Sequence, residues 1–201
     1  MESNQITRLF LVGVVGLVGL FVLFQFGKFI IGGVFDAGNG TAQENTTSSI
    51  NELANSSSVT SIVIKGPIIG NEEYREVKIT VSSTQRTFEI IQGYEGKVIE
   101  RKTYPNNTNA YSQFLSALDL NEFMVENSNQ PETSDGACPQ GFRYDYKVTE
   151  NGQTKLDTWF AQCQKRIGTF GGNGSTVNRL FTVQIPKYSE LTEDLHYGFR
   201  P

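Results

Sequence analysis

Cysteine and histidine are scarce in this 201-residue chain, which limits the chemistry it can carry out. Cys138 and Cys163 are the only cysteines, and His196 is the only histidine. These counts exclude a metal cluster built from several Cys or His ligands. A Cys–His nucleophile is not expected either, because His196 lies in the C-terminal tail. The sequence therefore predicts no metal site and no catalytic cysteine.

The two cysteines flank the second of two predicted hairpins and lie 25 positions apart, with no C-x-x-C motif. Because they are the whole cysteine complement, neither is left over after pairing. Outside the cytoplasm such a pair is expected to oxidise. We therefore expect a Cys138–Cys163 disulfide, and the alternative is two buried free thiols in a reducing compartment.

Carboxylates offer a second route to catalysis. Asp119, Asp145 and Asp157 supply an acid–base pair only if folding brings two of them together, and otherwise they are solvated surface groups. The glycine-rich residues 168–174 precede a predicted helix but lack the Gly-Lys-Ser/Thr ending of a phosphate-binding loop. A helix-entry turn with a Ser or Asn cap is expected there. We predict no catalytic residues and no cofactor.

Four aromatic residues gather on the second predicted hairpin: Tyr144, Tyr146, Trp159 and Phe160. Tyr144 and Tyr146 share one face of a strand, whereas Trp159 and Phe160 face opposite ways. One of these faces is expected to be core. The other interpretation is an aromatic recognition face for a glycan or a protein, so the four residues form the candidate interaction surface.

Composition favours a folded domain that does not bind nucleic acid. The hydrophobic share is 38% and the charged share 19%, which is unlike a disordered chain. Seventeen basic and 21 acidic residues give a net charge of −4. No broad basic field is available to hold a phosphate backbone.

An apolar segment near the N-terminus predicts a membrane anchor. Residues 9–26 contain no charged side chain, and apolar character continues past Lys28 to residue 35. About 20 apolar residues are enough to cross a bilayer as a helix. We expect a transmembrane anchor with an interfacial extension over residues 9–35, preceded by a short cytoplasmic tail at 1–8. The alternative is a cleaved signal peptide.

Residues 36–58 have the Gly, Asn, Ser and Thr composition of a flexible linker. N-x-S/T sites occur at five asparagines, here or in the domain that follows: Asn39, Asn45, Asn55, Asn106 and Asn173. They are glycan acceptors in a eukaryotic secretory protein and otherwise a consequence of composition.

Residues 59–195 carry the patterns of a folded domain, followed by a tail at 196–201. Residues 59–64 and the alternating Val77, Ile79 and Val81 predict strands, and residues 86–92 and 97–104 predict a hairpin. An apolar stripe predicts a helix over 108–120. A long connection over 124–140 leads to a second hairpin, residues 142–149 and 154–163, around Asn151-Gly152. A second helical stripe follows: Val177, Leu180, Phe181 and Ile185.

These elements predict an α+β domain with a mainly antiparallel sheet and two helices. The order of strands and helices allows two β-β-α units, and whether they are a true duplication stays open. Pooling their sheet and helix faces gives one core rather than two small ones.

Several turn-like segments resemble those of uncharacterised single-pass envelope proteins from ultrasmall, host-dependent candidate-phylum bacteria. The segments are Lys65-Gly66-Pro67-Ile68, Gln92-Gly93-Tyr94-Glu95-Gly96, Tyr104-Pro105-Asn106-Asn107 and the run from Gly168 to Pro186. The resemblance covers most of the chain. It implies an envelope location and carries no assigned activity.

We therefore expect a non-enzymatic interaction or structural module of the cell envelope, with its N-terminus inside and its C-terminal domain outside a cell membrane. The expected partners are the lipid bilayer, through residues 9–35, and an envelope or host-surface protein or glycan, with no nucleic acid. The alternative is an envelope hydrolase, or a glycan- or small-molecule-binding domain, using the dispersed carboxylates and the aromatic second hairpin.

Overall fold

The computed structural model describes residues 50–55, 57–163 and 165–195. The predicted anchor, most of the predicted linker and the predicted C-terminal tail lie outside these residues. Within them, no helix has the length and apolar character that crossing a bilayer requires.

Seven strands form one antiparallel sheet in the order β4-β3-β2-β1-β5-β6-β7. They are β1 (Ser58–Lys65), β2 (Arg75–Ser82), β3 (Gln85–Gln92), β4 (Lys97–Pro105), β5 (Arg143–Glu150), β6 (Gln153–Gln162) and β7 (Arg166–Ile167). The two predicted hairpins are confirmed as β3–β4 and β5–β6. The second turns at Asn151 and Gly152, both with positive φ, as a tight two-residue hairpin requires.

Alternation along β1 determines which face of the sheet becomes the core. Ile62 and Ile64 are buried, while Val63 between them is only half-buried. Ile62 pairs with Ile79 on one side and Tyr146 on the other, so apolar side chains line up across three strands. This face of the sheet is the one that the helices cover.

The described residues form three α-helices: α1 (Thr108–Asp119), α2 (Gly174–Thr182) and α3 (Tyr188–Leu191). The Asn107 side chain caps α1 by accepting a hydrogen bond from the backbone N–H of Ala110. The four predicted apolar positions of α1 are all buried: Tyr111, Phe114, Leu115 and Leu118. The sequence patterns predict two helices but not α3, because a single turn is too short to show a periodic pattern.

The predicted linker needs correction at its C-terminal end. Residues 50–55 form a 3-10 helix, and its apolar residues Ile50, Leu53 and Ala54 are buried in the main core. Ser58 continues the contact by donating a 2.6 Å hydrogen bond to the carbonyl of Leu53. The folded part of the chain therefore begins before Val59.

A single main core lies between the sheet and the helices, as the pooled arrangement predicted. A smaller cluster lies on the opposite face of the sheet, where Trp159 packs with Cys138 and Ala161. The connecting segment, residues 124–140, covers this second cluster. Whether the two β-β-α units are a true duplication stays open.

Candidate functional site

The predicted disulfide is present: Cys138 and Cys163 are bonded, with their Cα atoms 5.9 Å apart. Cys138 is buried beside Trp159, whereas Cys163 is exposed at the end of β6. The bond fastens the connecting segment to the sheet. Two hydrogen bonds reinforce it: Trp159 Nε1 donates to the Pro131 carbonyl at 2.8 Å, and the Ile68 N–H donates to the Pro139 carbonyl at 2.7 Å.

The four aromatic residues do not form a free surface. Tyr146 is 0% exposed, Trp159 and Phe160 are each 3% exposed, and Tyr144 is half-buried. Tyr144, Tyr146 and Phe160 belong to the main core, and Trp159 belongs to the cluster on the opposite face. The structure supports the interpretation as core, because three of the four side chains are buried and the fourth is half-buried.

Tyr146 occupies the centre of the aromatic core. Its ring lies 4.5 Å from that of Phe170 and 5.5 Å from that of Phe123, centroid to centroid. Its hydroxyl donates to Oδ1 of Asn178 on α2 at 2.5 Å. Burial raises the pKa of Tyr146 well above its ordinary value, so this group is a neutral structural donor at physiological pH.

Two of the three predicted carboxylates line one cavity. Asp145 on β5 and Asp157 on β6 border a space of about 150 Å³ on the face of the sheet opposite the helices, together with Glu132 of the connecting segment. Asp119 does not line it, because it ends α1 on the helical side. The sheet register explains the meeting: Asp145 lies opposite Trp159, two positions from Asp157.

Lys65 and Ser134 also line this cavity, and neither was a candidate from the sequence. Lys65 Nζ lies 3.2 Å from Ser134 Oγ and 2.5 Å from Asp145 Oδ2. The first distance suits a Ser–Lys nucleophile pair. However, Lys65 is the ammonium partner of the Asp145 carboxylate, and an ammonium group has no lone pair with which to accept the proton of serine. Lys65 and Asp145 therefore form an ion pair, and the Ser134 hydroxyl is hydrogen-bonded to its lysine. No sequence motif predicts this arrangement.

The glycine-rich residues 168–174 are a packed helix entry. Asn173 caps α2 by accepting from the Thr176 N–H at 3.2 Å, as the predicted Asn cap requires. A Cβ atom at Gly168 would lie 2.2 Å from the Trp159 carbonyl oxygen, and one at Gly172 would lie 2.4 Å from that of Glu122. Close backbone approach explains these two glycines without a bound anion.

The β4 strand forms one edge of the sheet and is nine residues long. Its side chains are exposed or half-exposed on both faces, including Val98 at 41% and Ile99 at 45%. A bulge lies beside them on β4: Ile90 and Ile91 of β3 pair with Glu100 and Val98, so Ile99 between these two has no partner residue on β3. Within the described ranges no strand pairs with the outer side of β4. Sequence analysis identified the strand but not its place at the edge.

The turn before β4 extends the same apolar area. The Tyr94 ring stacks on that of Tyr74 with centroids 4.2 Å apart, and Tyr94 is 54% exposed. Its hydroxyl donates to the Ile69 carbonyl at 2.8 Å, which fixes the loop that carries the exposed Ile68. The open edge and this corner are thus both accessible.

No known protein family matches the chain, and no curated protein resembles it in sequence. Among the residues that the structure describes, no group of three or more His, Cys, Asp or Glu side chains is placed to hold a metal ion.

Proposed function

We propose that this chain is a membrane-anchored, non-enzymatic interaction module displayed outside the cell membrane, and that it binds its partners through the β4 edge. The observation that carries the proposal is the exposure of this nine-residue edge strand on both faces. A sheet edge offers a row of backbone donors and acceptors, which is one of the recurring ways of binding an extended peptide.

The two edges of the sheet are treated differently. At the β7 edge, the strand is two residues long and Glu126 of the connecting segment bridges to Phe170 beside it. The Gly171 N–H donates to the Val125 carbonyl at 2.8 Å, and the Asn127 N–H donates to the Thr169 carbonyl at 2.6 Å. Within the described residues, the backbone of the connecting segment covers the β7 edge, and no strand covers the β4 edge.

The membrane location rests on the sequence. Residues 9–35 supply the apolar length of a single span, with Lys28 near its end, and the domain follows it. The bonded cysteines support an oxidising compartment, hence the outer side of the membrane. The resemblance to single-pass envelope proteins points the same way.

Photo-crosslinking in native membranes tests the proposal. A photoreactive amino acid replaces Ile99 on β4 and, as a matched control, Lys155 on β6 in the full chain. Adducts heavier than the chain are expected from position 99 and not from 155. Alkaline carbonate washing of the same membranes should leave the chain in the pellet. Equal labelling from both positions, or a soluble chain that has lost its first residues, contradicts the proposal.

The cavity beside Asp145 and Asp157 supports a second candidate function, binding of a small polar ligand. Its volume of about 150 Å³ suits one polar group or ring, and its carboxylates can accept hydrogen bonds from hydroxyl groups while Lys65 donates to them. Thermal unfolding of the full chain with a panel of neutral monosaccharides tests it. A ligand-dependent rise in melting temperature that disappears in Asp157→Asn favours this function, and no rise with any sugar contradicts it.

A further inference from the structure

We infer that the β4 edge accepts an extended acidic segment of a partner protein as an eighth strand; the inference rests on the proposed function and adds the chemistry of the partner. β3 pairs with the inner side of β4 from Gln85↔Pro105 to Gln92↔Lys97. The outer side is long enough for a strand of ordinary length, about five to six residues.

The charge of β4 selects the partner. The strand carries three basic residues, Lys97, Arg101 and Lys102, against the single acidic residue Glu100. The whole chain has the opposite sign, at −4. A local basic strand on an acidic protein favours an acidic segment and orients it along this edge.

The Lys102 side chain can turn towards a new strand. Lys102 contacts Glu100 at 3.1 Å, and the two groups are 44% and 38% exposed. Exposed ion pairs of this kind contribute little to stability, so exchanging Glu100 for a carboxylate of a partner costs little. Arg101 instead stays on the buried Glu89, which it contacts at 2.6 Å, because losing this partner would leave a buried charge unpaired.

The same charges disfavour a second copy of this chain at the edge. A second β4 brings the same three basic residues, and like charges facing each other across strands are destabilising. These charges therefore disfavour pairing with a second copy of the chain and favour an acidic strand. The exposed Val98 and Ile99 of β4 favour apolar side chains at the end of the partner strand that lies beside them.

Peptide binding to the full chain in detergent micelles tests the inference. The probe is an eight-residue peptide in which Glu alternates with Thr and Val, and binding is followed by fluorescence anisotropy. The first comparison peptide has Lys in place of Glu. The second keeps Glu but is N-methylated at alternate backbone nitrogens, which removes donors to a strand edge. Only the unmodified acidic peptide is expected to bind.

Variants of the chain locate the binding. Lys97→Glu with Lys102→Glu should weaken binding of the acidic peptide by about tenfold or more, since two favourable cross-strand pairs become unfavourable. The matched control is Lys147→Glu with Lys155→Glu, which reverses two exposed lysines on the β5–β6 hairpin. This control should leave the affinity within about twofold. Circular dichroism confirms that both variants are folded.

Three results overturn the inference. Equal binding of the N-methylated peptide means attraction to charge without strand pairing. Equal loss in the two variants means a response to net charge alone. Dimerisation of the unmodified chain, abolished by the β4 variant and detected by sedimentation, assigns the edge to a second copy. The peptide comparison does not depend on the variants folding. Crosslinking from position 99 together with a failed peptide test retains the proposed function and rejects only the acidic strand.

Discussion

The Tyr146 hydroxyl and the Asn178 side-chain oxygen are joined by a 2.5 Å hydrogen bond in the middle of the main core. Both residues are buried, one on β5 and the other on α2. The bond links the central part of the sheet to the helix that closes it. A polar pair in this position fixes how α2 sits on the sheet, because neither group finds another partner as good when the helix slides.

Tyr146→Phe should destabilise the folded chain by about 1–3 kcal/mol, since it leaves the Asn178 amide buried without its donor. Urea unfolding followed by circular dichroism measures the effect. Adding Asn178→Leu to Tyr146→Phe removes both polar groups and should recover part of the loss. If the double variant loses as much free energy of unfolding as the two single variants together, the pair does not interact.

Much of the fold could be predicted because local patterns and tertiary structure agree. Val77, Ile79 and Val81 alternate as a half-buried strand and are all fully buried in the sheet. Asn151-Gly152 sets a hairpin turn and does so with positive φ at both residues. At these positions a short stretch of sequence is enough to determine the local structure.

The rest depends on partners distant in sequence. Ile50 lies in a segment of linker composition, and only the tertiary structure shows that it packs into the core. Lys65 and Ser134 are 69 positions apart, so no spacing could reveal their contact. The aromatic residues of the second hairpin had an ambiguous pattern, because exposure to a partner and burial in a core demand the same residue types.

The start of the folded unit can be tested with two fragments. A fragment of residues 46–201 should be more stable than one of residues 59–201 by about 3–6 kcal/mol, because the shorter one loses the buried side chains of Ile50 and Leu53. Urea midpoints of the two fragments give the difference. The urea midpoint of Ile50→Ala in the longer fragment should lie between those of the two fragments. Equal midpoints for the two fragments would place the start of the folded unit at Val59.

Stability should fall steeply in alkali. Burial raises the pKa of five tyrosines above the ordinary value: Tyr74, Tyr111, Tyr144, Tyr146 and Tyr188. The unfolded chain releases these protons near pH 10, whereas the folded chain retains them. Above pH 10 the folded state therefore binds more protons, and it loses up to about 1.4 kcal/mol per pH unit for each tyrosine.

Tyrosinate absorbance in the ultraviolet measures this linkage. Between about pH 9 and 11 the absorbance of the folded chain should lag behind that of the same chain in urea, since the folded form withholds these protons. The lag should end in a cooperative rise as the chain unfolds. Replacing Tyr74 with Phe should reduce the pH slope by one proton. Superimposable titrations with and without urea would contradict the assignment.

Substituting alanine at Gly168 and at Gly96 distinguishes the cost of close packing from the cost of backbone strain. Both have positive φ, but a Cβ atom at Gly96 meets nothing within 4 Å, whereas one at Gly168 would strike the Trp159 carbonyl. Gly96→Ala should cost about 1–2 kcal/mol from conformation alone. Gly168→Ala should cost about 1–3 kcal/mol more, because the backbone has to move. Thermal unfolding of the two variants compares them, and equal losses would remove the packing explanation for the glycine-rich segment.

The Cys138–Cys163 bond should contribute about 3–4 kcal/mol, because it closes a loop of 25 residues in the unfolded chain. Replacing both cysteines with serine should lower the free energy of unfolding by about that amount, measured in urea. Intact mass after alkylation under denaturing conditions checks the bond in protein from native membranes. Two alkylated thiols before reduction would contradict the disulfide and withdraw its support for an outer location.

Trp159 provides a local report on the same bond. It is the only tryptophan in the chain and it packs beside Cys138, so we expect the neighbouring disulfide to quench its fluorescence. Reduction should raise the emission intensity without a shift to longer wavelength if the connecting segment stays in place through Pro131 and Pro139. A shift to longer wavelength instead means that the indole becomes exposed to water. That result would show that the disulfide, rather than these hydrogen bonds, holds the connecting segment over the sheet.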